Sequence, residues 1–106
     1  MSDHIAVLIT APNEDEAASI ARALVGERLA ACANIIRGVR SIYRWEGEVQ
    51  DDPEVLMVIK TRRELFEKLE KRVLELHTYD VPEVIALDIA EGSGPYLAWL
   101  RQSTTE

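Results

Sequence analysis

The chain has 106 residues, 47% of them hydrophobic, and its twelve Lys+Arg against nineteen Asp+Glu give a formal net charge of −7. That length suits a single domain over residues 1–106 with one core, and the acidic field repels phosphate backbones, which argues against nucleic acid as a partner. One cysteine excludes an internal disulfide and fits a reducing compartment; no apolar run reaches the roughly 20 residues of a membrane span, and Met1-Ser2-Asp3-His4 lacks the regions of a signal peptide, so a cytoplasmic protein with no membrane partner is expected.

Residues 4–10 form a continuous apolar run that reads as a central strand buried on both faces, ended by Pro12-Asn13. Asn13 suits a helix cap, with Glu16 three residues on and acidic residues in the first turn, where the helix dipole favours negative charge. Ala17, Ile20, Ala21, Leu24 and Val25 then recur at helical spacing up to Gly26, a plausible stop.

Two apolar runs, residues 33–45 and 48–60, fold back on a Trp45-Glu46-Gly47-Glu48 corner. Each is roughly twice the usual strand length, so this hairpin is expected to outrun its own domain. Ile35, Val39, Ile42, Tyr43 and Trp45 on one strand and Val49, Val55, Met57, Val58 and Ile59 on the other leave little of it as solvated ribbon. A long apolar edge recruits other chains, and another copy of the protein is the expected cover.

Thr61-Arg62-Arg63-Glu64 reads as a capping box opening a second helix whose face is Leu65, Leu69, Val73 and Leu76. After Pro82, Val84, Ile85, Ala86, Leu87 and Ile89 form a fourth strand that stops at Glu91-Gly92-Ser93-Gly94, and Pro95 suits the first turn of a last helix with Tyr96, Leu97, Trp99 and Leu100. The order β-α-β-β-α-β with an extra C-terminal helix is the split βαβ, ferredoxin-like arrangement of the α+β class. Sheet residues are apolar in both phases, as at Ile35-Ile36 and Val84-Ile85, with no helix left for the second face, so sheet-on-sheet oligomerisation is expected.

Few residues carry chemistry. His77, beside Tyr79 and Asp80, has the setting of a metal ligand or proton carrier; the competing reading is a surface or helix-end histidine interacting with backbone carbonyls. His4 is near the terminus, and two histidines with one cysteine make no spaced zinc pattern. Cys32 reads as a small buried hydrophobe or as a reactive thiol. No nucleophile elbow, phosphate loop or dinucleotide glycine pattern is present among the five glycines, so nucleophilic catalysis is not supported. Lys60 ends an apolar strand and either stands in water or pairs with Glu83, while Tyr43 and Trp45 either wall a small-molecule cleft or fill an interface.

Five segments, Leu29-Ala30-Ala31-Cys32-Ala33-Asn34-Ile35, Ser41-Ile42-Tyr43-Arg44-Trp45-Glu46-Gly47, Ile59-Lys60-Thr61, Tyr79-Asp80-Val81-Pro82-Glu83-Val84-Ile85 and Tyr96-Leu97-Ala98-Trp99-Leu100, resemble in order those of the CutA divalent-cation tolerance proteins, over nearly the whole chain. The resemblance implies a ferredoxin-like subunit in a homotrimer, no catalytic activity, a role in the response to metal ions, and copper or another divalent cation as ligand. In animals it also implies anchoring of a membrane enzyme. Members with assigned copper ligands have a cysteine at the end of the first strand and two adjacent histidines before the Tyr-x-x-Pro-Glu segment; here those positions hold Ile9, Leu76 and His77, so His77 is the one candidate metal ligand that remains. Cys32, Tyr43, Trp45, Lys60 and Glu83 match shared residues that look like the lining of a cleft between subunits. The alternative expectation is therefore a trimeric sensor that binds a small anionic metabolite in that cleft through Lys60.

Overall fold

The structure is a computed structural model that describes residues 2–105. It is an α+β fold of four strands and three helices: β1 (His4–Ala11), α1 (Glu14–Gly26), β2 (Cys32–Trp45), β3 (Glu48–Arg62), α2 (Phe66–Leu76), β4 (Val84–Asp88) and α3 (Gly94–Ser103). The strands form one sheet in the order β2-β3-β1-β4, with every neighbouring pair antiparallel.

Alternation in β1 decides which face meets the helices. Ile5, Val7, Ile9 and Ala11 are fully buried, and the ladder sets them opposite Thr61, Ile59, Met57 and Val55 of β3. Ala17, Ile20, Ala21 and Leu24 of α1 and Leu69 and Val73 of α2 close this face into the main core. Each large aliphatic side chain buried there contributes about 1.5–3 kcal/mol, so this layer dominates the stability of the chain. α1 starts as its sequence predicts: the Asn13 side-chain oxygen accepts from the Glu16 N–H at 2.8 Å.

Three expectations are corrected. β1 is fully buried on one face only; Ala6, Leu8 and Thr10 on the other are half-buried. The capping box does not form, because Thr61 remains inside β3 and its hydroxyl donates to the Leu29 carbonyl at 2.7 Å; a 3-10 turn over Arg63–Leu65 precedes α2 instead. A buried hydroxyl satisfied across the fold outweighs a local cap. The second sheet face is also not wholly without a helix. Arg62 donates to the Thr104 hydroxyl and carbonyl, both at 2.8 Å, and ties α3 across one end of that face.

The rest of the second face is open. By register Leu8 lies between Val58 and Ile85, Ala6 beside Leu87, and Leu56 beside Ile36. Ile36, Ile85 and Leu87 remain 46%, 49% and 51% exposed, enough to make this a continuous apolar surface rather than scattered side chains.

The hairpin does outrun the sheet. β1 pairs with β3 only as far as Val55, so residues 48–54 pair with β2 alone and form a two-stranded arm. Its tip is a two-residue turn with Glu46 and Gly47 at φ 50° and 81°, the left-handed pair that matches strand twist. At its root, between the Ile36 and Val39 rungs, Arg37 and Gly38 together oppose the single residue Val55, a bulge of one extra residue for which Gly38 supplies φ 82°. The arm stretches the molecule to 44 × 25 × 23 Å.

Candidate functional site

Where the arm leaves the body, a groove of about 740 Å³ opens between the hairpin and the loop joining α2 to β4. Thr10 of β1, Tyr43 and Trp45 of β2, Glu54 of β3, and Tyr79 and Glu83 of the loop line it. The strand ladder explains the convergence: Ile9 pairs with Val84 and Ala11 with Val55, so the end of β1 brings Glu83 and Glu54 to the same corner.

Hydrogen bonds fix the aromatic walls. The Tyr43 hydroxyl donates to Asp52 at 2.7 Å, and this bond above all raises the Tyr43 pKa. The Tyr79 hydroxyl donates to Glu54 at 2.8 Å; burial first, then the bond to Glu54, pushes its pKa up as well. Arg40, also on the groove, gives two bonds to Asp51 at 2.8 and 2.6 Å, which hold that carboxyl below its ordinary range. The Arg40 charge is thereby met, and the groove presents phenols, an indole and carboxylates.

His77 stands behind the groove. It caps the C-terminus of α2, with its N–H on the Val73 carbonyl at 2.8 Å, and its side chain is 0% exposed. Nε2 lies 2.7 Å from the Thr10 carbonyl oxygen, and Nδ1 accepts from the Tyr79 N–H at 3.1 Å. A carbonyl only accepts, so Nε2 carries the proton and both ring nitrogens are engaged. This is the helix-end, carbonyl-bonded reading of His77, with the ring buried. Glu16 holds the same loop from α1, accepting from the Thr78 hydroxyl at 2.9 Å and the Thr78 N–H at 3.2 Å.

Of the residues expected in a cleft, Tyr43, Trp45 and Glu83 meet in this groove, while Cys32 and Lys60 form a separate pair elsewhere in the chain. They face each other across β2 and β3 on the rung of Ala6. Lys60 donates to the Asn34 side-chain oxygen and makes no ion pair among the described residues, so it is not paired with Glu83 within the chain. Cys32 is a half-buried free thiol 3.6 Å from the same oxygen. Burial raises the pKa of Tyr96 on α3, and the adjacent Cys32 adds to that shift. Sequence reasoning missed Glu54, Asp52 and Glu16; the acidic run Asp51-Asp52-Pro53-Glu54 breaking an apolar strand was the available signal for the first two.

The family model described as CutA1 divalent ion tolerance protein matches residues 5–103. The chain belongs to the CutA family. The divalent-cation tolerance protein CutA of Thermus thermophilus is 58% identical over 98 residues, covering 92% of this chain and 95% of that protein. Protein CutA, chloroplastic, of Arabidopsis thaliana is 52% identical over 100 residues, covering 94% of this chain and 55% of that protein; the chain spans about half the length of this plant relative. The solved structure of the divalent cation tolerance protein Cut A1 from Thermus thermophilus matches with a TM-score of 0.94 at 56% identity, covering 96% of this chain and 99% of that one.

The described residues of this chain do not fit a copper centre. Ile9 is fully buried in the core, Leu76 packs against it, and His77 is committed on both nitrogens. Among the described residues no group of three or more His, Cys, Asp or Glu side chains is placed to hold a metal ion.

Proposed function

We propose that this chain is a homotrimeric, ferredoxin-like CutA protein that acts in the cellular response to divalent cations and catalyses no reaction. The observation that carries the reading is the family match over residues 5–103. The trimer is supported by the open apolar face around Ile36, Ile85 and Leu87, which a neighbouring sheet would cover. Cation contact is weak and shared between copies, because no metal-holding group stands ready among the described residues of one subunit. The acidic charge of −7 draws copper and other dications toward the assembly without specifying a ligand set. A free Cys32 suits the reducing cytoplasm.

Native mass spectrometry of the metal-free protein, followed by titration with copper, tests both parts. A trimer with weak, graded copper uptake is expected. A monomer contradicts the assembly, and tight uptake by isolated subunits contradicts weak, shared cation contact.

One observation favours a second reading. On an acidic chain, Lys60 has an amide partner and no carboxylate among the described residues, which suits a small anionic metabolite held between subunits. Ligand-induced thermal stabilisation lost in Lys60→Ala, with copper without effect, would select it.

A further inference from the structure

We infer that His77 is a positioning residue that pins the loop of residues 77–83 to the end of β1, and that it takes no part in metal binding. The inference stands on local geometry and is independent of the oligomeric state. The ring is sealed from water, donates from Nε2 to the Thr10 carbonyl and accepts at Nδ1 from the Tyr79 N–H, with a Glu16 carboxylate oxygen 3.4 Å from Nδ1. A cation would have to displace one of these bonds and expose a buried backbone group, at a cost comparable to a lost hydrogen bond.

The pin has a mechanical consequence. The His77 and Tyr79 rings pack with centroids 4.7 Å apart, and the Tyr79 hydroxyl reaches Glu54 on the arm. The sequence of contacts Thr10, His77, Tyr79, Glu54 therefore transmits the position of β1 to the groove wall and the root of the hairpin. Glu16 anchors Thr78 from the other side, so the loop is held between α1 and β1. The same geometry accounts for the substitution pattern. Ile9 and Leu76 fill apolar space where ligands would be, and a histidine at position 77 is still required because its two nitrogens satisfy one backbone acceptor and one backbone donor at once.

Nitrogen-resolved NMR of the histidine rings, with zinc as a diamagnetic probe, reads the tautomer directly. A proton on Nε2 is expected for His77, with ring signals unchanged by saturating zinc. In His77→Ala the Tyr79 amide should exchange about tenfold faster or more. His77→Asn, whose side-chain oxygen occupies the place of Nδ1, should recover much of that protection, and copper uptake by both variants should equal that of the parent. A zinc-induced change of the His77 ring signals to a metal-bound pattern overturns the inference. So does loss of a whole-number copper stoichiometry in His77→Ala with Tyr79 still protected. If the alanine variant fails to fold, the parent's ring signals and the asparagine variant decide the matter alone.

Discussion

The two faces of the sheet are made by the same strands, yet they end in different states. Ile5, Val7, Ile9, Met57 and Ile59 lose all contact with water beneath α1 and α2, whereas Ile36, Ile85 and Leu87 on the other face keep about half of theirs. The chain has two crossover helices, one in each βαβ unit, and both fall on one face; α3 reaches only the end of the other, where Arg62 holds it. Closure of the first face is thus written into the chain itself, and closure of the second is what the proposed trimer would supply. The arm continues the open face beyond the body, since the bulge at Gly38 keeps Val39 beside Glu54 on the side of Ile36 and Leu56.

The largest expected effect lies on the closed face. Ile59→Ala should lower unfolding stability by about 2–5 kcal/mol in urea denaturation, because a fully buried side chain leaves a cavity between sheet and helices. On the open face, Leu87→Asp should leave the subunit's circular dichroism intact and convert a trimeric mass to a monomeric one; equal loss of fold in both variants would erase the distinction between the faces. At the join of body and arm, Tyr79→Phe should cost about 1–2 kcal/mol by leaving Glu54 without its phenol partner. The same variant has a pH signature. Since the folded state raises the Tyr79 pKa, its contribution is complete below the ordinary tyrosine value of about 10 and declines as pH rises beyond it, and the phenylalanine variant should lack that alkaline decline. The smallest effect belongs to Gly38→Ala, about 1 kcal/mol, because φ 82° strains any residue with a Cβ although nothing crowds the site. Equal stability in that variant would mean the bulge relaxes without strain.

Local rules made much of this fold legible. Asn13 caps α1 as its spacing predicts, the Glu46-Gly47 corner turns the hairpin, and Ser93 and Pro95 open α3. What sequence left hidden is long-range. Thr61 carries a capping signature, yet its hydroxyl is captured by Leu29, thirty-two residues away in the chain, so the helix starts later. His77 looks the same in sequence whether its ring is free or bonded to backbone; the bond to Thr10, sixty-seven residues distant, is visible only in the fold. Gly38 inside a strand pattern was a local sign of a bulge. The groove was partly legible: Tyr43, Trp45 and Glu83 meet there, but Glu54 and Tyr79 complete it through a contact that no spacing rule encodes.

Sedimentation equilibrium of the metal-free protein at micromolar concentration addresses the open face most directly. The account predicts a single species at three times the 11.9 kDa chain mass, falling to the single-chain mass in Leu87→Asp. A parent protein that sediments as a stable monomer, with Ile36, Ile85 and Leu87 left in water, would contradict it.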